Sequence, residues 1–451
     1  MSRIADIAAA LAGYDADAMR ADRAGDFIAR LVAPAVVTGT EQISLRDASG
    51  RVLAQDIVSP VSVPPHDNSA MDGFAFDGAL LASSADALTL RVVGTAAAGS
   101  AWRGALAAGD AVKIMTGAMM PTGLDTVVPQ ELCQVDGAQL HFATAGLRRG
   151  ANRRFAGEDL MQGQPALLRG ERLSPAALGL LASLGLPTVR VLRRLRVAYF
   201  STGDEILSPG DAPREGAVYD SNRYTLSGLL TRLGCELVDL GLVRDDPAAL
   251  EAALRGAASQ ADAVITSGGV SVGEADHTRT VLARLGEVAF WRLAVRPGRP
   301  MAVGLIRRGL QEESASRARP PCATSYEYDS NDAVLFGLPG NPVAAMVGFI
   351  AFVRPALLQM MGCNATSAAT PPLLRARSAG PIHKKPGRTE YQRGVVRSLP
   401  GALPEVRLTG HQGSGVLSSM AGANGLVVLS HEQGDVAAGD EVDVMMFEGV
   451  I

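Results

Sequence analysis

Cysteine is scarce in this 451-residue chain: Cys133, Cys235, Cys322 and Cys363 are scattered, with no C-x-x-C pair. That spacing argues against a zinc site or a disulfide framework and fits a reducing compartment. Aromatics make up only 4% of the residues, and 42 Lys and Arg stand against 46 Asp and Glu, a net charge of −4. So near-neutral a chain has no electrostatic reason to take nucleic acid or an anionic membrane surface as its main partner. No uninterrupted apolar run reaches the roughly 18 residues needed to span a bilayer. The Ala-rich start, MSRIADIAAALAGYDADAMRADRAGD, is broken by Asp and Arg, where a signal peptide needs an unbroken apolar core. A cytoplasmic location is expected. Four of the six histidines (His66, His141, His277, His411) lie in separate segments without ligand spacing, and no Ser–His–Asp arrangement can be inferred.

What is present is globular: 47% of the residues are hydrophobic and 20% charged, over a length that allows about three domains. Residues 26–37, DFIARLVAPAVV, read as a short amphipathic helix before a proline break. From about 40 to 165, short alternating runs broken by Gly, Pro and Asp predict small β-rich modules. A helix follows, with Ser174 as N-cap, Pro175 in the first turn and Gly185 as stop. At Arg196 the pattern changes. Strand candidates RVAYFS, ELVDLGLV, ADAVITS and VAFWRLA alternate with helix candidates, which indicates βαβ units and a mainly parallel, doubly wound sheet. MAVGLI and AVLFGL read as further strands, and Asn341-Pro342 opens a long apolar helix to about Met361 in which Pro355 is a kink candidate. Beyond the TPPLL of 370–374, VVRSL, PEVRLTG, GLVVLS and DEVDVMMF predict a small β domain. Residues 307–330 are polar and patternless, an excursion joining two strands.

Ligands of a doubly wound sheet bind beyond the carboxyl ends of its strands. Three acidic segments fall there: Gly203-Asp204-Glu205, Arg244-Asp245-Asp246, and the run from Ser267 through Gly268, Gly269, Ser271 and Gly273 to Asp276. Each alone reads equally well as a helix N-cap. Together, a Gly-Gly turn suited to an anion-binding nest, with Glu205 and Asp276 able to hold a divalent metal, points to a phosphate-containing ligand and Mg²⁺. Arg292, Arg296 and Arg299 are close in sequence. They form either a solvated face or a set of forks for an oxyanion such as phosphate or molybdate. Pro339-Gly340-Asn341-Pro342 is a tight turn at a helix start, hence a plain cap or an anion site. The segments 64–75, 114–118 and 153–159 read as turn networks when taken singly.

The combination is diagnostic. DNSAMDGFA at 67–75, MTGA at 115–118, GED at 157–159, STGDE at 201–205, YDSN at 219–222, RDD at 244–246, SGGVSVGEAD at 267–276, RPGRP at 296–300, GLPGNP at 337–342, PGR…QRG at 386–394 and HQGSG at 411–415 occur in this order. Nearly the whole chain resembles the MoeA family of molybdopterin molybdenumtransferases, and it is similar to the gephyrin E domain without gephyrin's anchoring and linker segments. The resemblance implies a multidomain α/β plus β fold. It divides into an N-terminal helical segment (1–34), a linker domain (35–53 and 160–195), a β-rich insertion domain (54–159), a doubly wound α/β molybdopterin-binding domain (196–363) and a C-terminal β-barrel (370–451). It further implies an elongated homodimer whose cleft lies between the α/β domain of one subunit and the insertion domain of the other.

Carried over by position, Asp72, Thr116, Asp159, Glu205, Asp245 and Asp276 are the implied catalytic residues, with Glu205 and Asp276 on the metal. Ser267, Gly268, Gly269, Ser271, Gly273, Arg292, Arg296, Arg299, Pro339, Gly340, Asn341 and Ser414 are the implied substrate-binding residues. Arg292 and Arg296 stand where the best-known bacterial members carry Lys, replacing a point charge by a planar fork. The implied reaction inserts molybdate into adenylylated molybdopterin with Mg²⁺ and release of AMP, completing the molybdenum cofactor. Implied protein partners are the preceding adenylyltransferase and the recipient molybdoenzymes. Two rival readings stay open at the level of sequence: the adenylyltransferase that makes the adenylylated pterin, and a non-catalytic pterin-binding scaffold. Molybdate and tungstate, both tetrahedral dianions, are not distinguished.

Overall fold

The computed structural model describes residues 2–83, 86–269, 275–308, 332–448 and 450. Ser271, Gly273 and all of the 307–330 excursion except Arg307 and Arg308 lie outside the described residues, as does the side chain of Asp276. The first amphipathic helix is Ala21–Val32, not 26–37: it starts five residues earlier and stops before Pro34, and it buries Ala24, Phe27, Ile28, Leu31 and Val32 along one stripe. A shorter helix, Arg3–Ala10, precedes it, with Ser2 Oγ accepting from the Ala5 N–H.

Residues 40–44 pair antiparallel with 188–192, and around this ribbon the helix Pro175–Ser183 closes a small core of Leu53, Leu173, Leu181 and Val191. Its ends match expectation: Ser174 caps the Ala177 N–H, Pro175 opens the helix, and Gly185 turns the chain at φ +73°. Between the two halves of this body, a six-stranded sheet runs in the order Thr126–Pro129, Gly73–Phe76, Asp110–Ile114, Ala87–Ala96, Gln139–Ala143, Cys133–Asp136. Alternation along its strands feeds separate apolar clusters, Phe74 and Phe76 with Phe142, and Ala75 with Val112 and Ile114.

The central sheet contains β1 (Arg196–Thr202), β2 (Glu236–Val243), β3 (Ala263–Ser267), β4 (Gly286–Arg292), β5 (Pro300–Ile306) and β6 (Ala333–Leu338), in the order β2-β1-β3-β6-β5-β4. The pairs among β2, β1, β3 and β6 are parallel, and β5 and β4 are antiparallel additions at one edge. β3 and β6 are buried throughout, as strands covered on both faces must be. One face carries α1 (Ser221–Leu233), Ala21–Val32 and the apolar helix α4 (Pro342–Met360). The other carries α2 (Pro247–Gln260) and α3 (Ala275–Leu285). The sheet is therefore doubly wound.

Within α4, Phe349–Val353 is π-helical and the α-helix resumes at Arg354. Pro355 lacks the N–H that an α-helix would direct to residue 351, and the wider turn just before it accommodates that loss. By length and composition alone α4 would be apolar enough to cross a membrane, although Arg354 keeps its uninterrupted apolar run short of the length expected for a span. It is a core helix: 78% of that stretch is buried inside the molecule.

The C-terminal strands β7 (Leu374–Ser378), β8 (Thr389–Arg397), β9 (Glu405–Leu408), β10 (Gly425–Leu429) and β11 (Glu441–Met446) close into a five-stranded barrel, because β8 pairs with both β9 and β10. Val295-Arg296 pairs with Thr389-Glu390 of β8. This short ladder joins the barrel to the loop after β4.

Candidate active site

The chain leaves β1 toward β2 on one side of the sheet and returns to β3 on the other, so the topological switch lies between β1 and β3. A cleft of about 1310 Å³ opens there, lined by the ends of β1, β3 and β6 and by barrel residues of the HQGSG loop. Its floor is the Gly268-Gly269 turn. Gly268 has φ +91°, and a Cβ on it would fall 2.4 Å from the Thr202 carbonyl oxygen, so only glycine lets the turn close onto β1. Behind the turn Ser267 is buried, its Oγ 2.6 Å from the Tyr199 hydroxyl, which also lies 2.7 Å from Ser201 Oγ. Burial pushes the Tyr199 phenol well above its usual range. This neutral peg ties β1 to β3 and stands behind the cleft rather than in it.

One wall is acidic. Asp204, Glu205, Asp220 and Asp245 line it, and the Asp245 N–H donates to Asp204 Oδ1 at 3.4 Å. The opposite wall is cationic. Arg296 and Arg299 line it and make no ion pair among the described residues, whereas Arg388 is held by Glu390 at 2.7 Å. Arg393, 1% exposed, carries its charge without a carboxylate partner among the described residues; it donates to Ser419 Oγ at 3.0 Å and to the Gly413 carbonyl at 2.9 Å. Burial, and then the neighbouring Arg296, weakens its hold on the proton. Gln412 accepts from the Arg393 N–H at 2.8 Å and donates back to its carbonyl at 3.1 Å. Arg393 thus fixes the loop that brings Ser414 to the cleft.

Of the residues expected in the site, the cleft gathers Glu205, Asp245, Gly268, Gly269, Arg296, Arg299, Pro339, Gly340, Asn341 and Ser414. Arg292, at the exposed end of β4, is not among its lining residues. Asp276 stands in the first turn of α3. Asp72, Thr116 and Asp159 belong to the region of the insertion sheet and do not line this cleft. Asp72 accepts from both the N–H and the hydroxyl of Thr116, at 2.7 and 2.8 Å, and those bonds hold its carboxyl below the usual range. The cleft also contains Asp220, Asn222 and Arg388, which lie in quoted motifs (YDSN and PGR) but had no role assigned. In sequence Asp220 looks like an ordinary N-cap, and it does cap α1 through the Arg223 N–H.

The chemistry of a magnesium site can be tested against these residues. Among the described residues no three His, Cys, Asp or Glu side chains converge on a metal position. Mg²⁺ needs no such cluster when one or two carboxylates are completed by water and phosphate oxygens. Glu205 lines the cleft and can supply one such carboxylate; a Cβ on Gly203 (φ +144°) would lie 2.6 Å from it, so glycine there leaves the acid its present position. Among the described residues no cysteine offers a thiolate to the cleft. Burial raises Cys133 and Cys363 to about 11 and Cys235 to about 12, and none of them lines the cleft.

Comparison with known proteins covers the whole architecture. Family models match residues 19–185 (MoeA N-terminal region, domain I and II), 198–359 (probable molybdopterin binding domain) and 375–447 (MoeA C-terminal region, domain IV). A molybdopterin molybdenumtransferase of Haemophilus influenzae is 39% identical over 92% of this chain and 95% of its own. A protein of the same name from Nostoc is 33% identical over 90% and 88%. A solved MoeA structure from Pyrococcus horikoshii matches at a TM-score of 0.70 with 28% identity, covering 96% of this chain and 99% of the other. Such likeness, carried in one order from end to end, makes this chain a member of the MoeA family of molybdopterin molybdenumtransferases.

Proposed function

We propose that the cleft inserts molybdate into adenylylated molybdopterin and releases AMP. The observation that carries this reading is the pairing of two walls of opposite charge over a Gly-Gly floor. Molybdate, a stable dianion, needs a cationic cradle, and Arg296 and Arg299, without an ion pair among the described residues, offer forks to it in a cleft that Ser414 also lines. The pyrophosphate bridge of the substrate lies along Gly268-Gly269, where a turn of backbone N–H groups suits an anion. Glu205 and Asp276 are the residues we assign to Mg²⁺, which when bound supplies charge neutralisation at the phosphate oxygens. Arg296 and Arg299 orient the oxyanion, and the barrel loop held by Arg393 closes the cleft over it.

The reading includes a homodimer. Near Asp72, Thr116 and Asp159 in the chain, Met71, Met115, Met119, Phe155 and Met161 are exposed, and exposed apolar side chains grouped in this way suit a protein–protein contact. Set against the cleft of a second subunit, these residues reach the acidic wall. A cytoplasmic location, the preceding adenylyltransferase as supplier and molybdoenzymes as recipients complete the proposal.

The test is AMP release from adenylylated molybdopterin with molybdate, with tungstate and with neither. Release that depends on the oxyanion, and formation of active cofactor, are expected. Arg296→Ala should raise the molybdate requirement about 10- to 100-fold, the worth of one charge-assisted hydrogen bond. AMP release untouched in Glu205→Gln and Asp276→Ala would remove both residues from the metal assignment.

A further inference from the structure

Three side chains on the cleft wall are buried yet incompletely bonded. Thr202, Asp220 and Asn222 are 5%, 6% and 6% exposed, and all three line the cleft. Thr202 Oγ1, Asp220 Oδ2 and Asn222 Oδ1 have no hydrogen-bond partner among the described residues. The other half of each amide or carboxylate is engaged: an Asp220 oxygen caps the Arg223 N–H at 3.1 Å, and Asn222 Nδ2 donates to the Gly340 carbonyl at 2.7 Å. These bonds fix both orientations and leave one acceptor on each residue. Buried polar groups without partners are rare in folded proteins, and three along one cleft call for a ligand.

We infer that Thr202, Asp220 and Asn222 are specificity-determining residues that read the hydrogen-bonding edge of the pterin. The inference rests on the reading of the cleft given above and assigns it a recognition subsite. A pterin presents an exocyclic amino group, a ring N–H and a carbonyl along one edge: donor, donor, acceptor. Asp220 and Asn222 supply two acceptors, and the Thr202 hydroxyl can donate. The adenine of the same substrate presents one amino donor beside a ring nitrogen acceptor, which would set lone pair against lone pair at the second position. The set therefore selects the pterin end of the adenylylated substrate over the nucleotide end. A site built to bond a polar edge discriminates strongly against an analogue lacking the matching group, because its own buried atoms are then left unpaired.

The experiment uses the full-length protein, with pterin and lumazine, which carries a carbonyl in place of the 2-amino group, as fluorescent probes and AMP as the control. Wild type should bind pterin at least about tenfold tighter than lumazine. Asp220→Asn keeps a good N-cap but can turn an amide N–H₂ toward the ligand. It should lose most of that preference, raise KM for adenylylated molybdopterin and leave AMP affinity and the thermal midpoint unchanged. An unchanged pterin-to-lumazine ratio in a folded Asp220→Asn variant overturns the inference, as does a variant that changes only the Mg²⁺ dependence, or a wild type that does not discriminate. In each of these cases AMP release by wild type would still uphold the broader reading of the cleft. Absence of AMP release from wild type would overturn that reading instead.

Discussion

Asp262 is a single carboxylate on which three parts of the molecule converge. It accepts a fork from Arg193 at 2.7 and 2.9 Å, the Arg196 N–H at 2.9 Å and Arg308 at 3.2 Å. Burial opposes its charge, yet the Arg193 fork and the backbone bond prevail and hold the carboxyl below its ordinary value of 3.8. A carboxyl depressed in the folded state contributes stability that is complete above the ordinary value and is lost as pH falls through the folded one. Asp262→Asn should therefore lower stability at neutral pH by about 1.5–3 kcal/mol, toward the lower figure because Arg193 is partly solvated. It should also flatten the acid limb of a denaturation curve below pH 4; wild-type-like acid sensitivity in the variant would assign that limb to other groups. No pattern in the sequence singles out Asp262, since its partners lie 46 to 69 positions away. Glu205, Asp245, Arg296 and Arg299 were legible because each follows a strand in a motif. Asp220 and Asn222 were not, because an N-cap and a ligand contact look alike until burial reveals the unpaired oxygen.

At the level of elements, turns between strands and helices do two distinct jobs, and two glycines separate them. Gly234 ends α1 at φ +96°, and a Cβ there would meet nothing closer than Arg194 Nη1 at 3.6 Å. Gly234→Ala should cost about 1 kcal/mol of left-handed strain and leave AMP release unchanged. At Gly268 the same substitution drives a methyl into the backbone of β1, which cannot move aside as a side chain can. It should destabilise by more than the strain alone, by roughly 2–4 kcal/mol, and abolish substrate binding. Chemical denaturation alongside AMP release distinguishes the two, and equal effects at both positions would mean that the floor turn has no special role. The strands and helices were largely legible because apolar runs and capping residues act locally, as at Ser174-Pro175 and Gly234. The antiparallel edge formed by β5 and β4 was not, since strand direction is set by packing rather than by composition. The first helix was misplaced because its amphipathic stripe begins before the apolar run does.

For the molecule as a whole, the insertion sheet lay beyond what single segments could explain. DNSAMDG and GED read as turn networks when taken singly, and neither Asp72 nor Asp159 lines the cleft, so nothing within one chain ties them to it. Among the described residues the Asp72 carboxylate is hydrogen-bonded to Thr116 alone, with Met71, Met115 and Met119 exposed nearby, and it does not line the cleft that holds Glu205. If each cleft of a C2 dimer takes its acidic wall from one subunit and Asp72 from the other, two inactive variants can complement each other. Asp72→Asn and Glu205→Gln, each inactive alone, are mixed after dissociation and allowed to reassociate. Half of the dimers are then mixed, and each mixed dimer has one cleft with both defects and one with neither. AMP release should return to about one quarter of wild type, the product of those two halves. Were Asp72 to serve the cleft of its own subunit, every cleft in the mixture would carry one defect, and no activity would return at any mixing ratio. A dimer that forms normally but fails to complement would keep the apolar face as an interface while removing Asp72, Thr116 and Asp159 from the site.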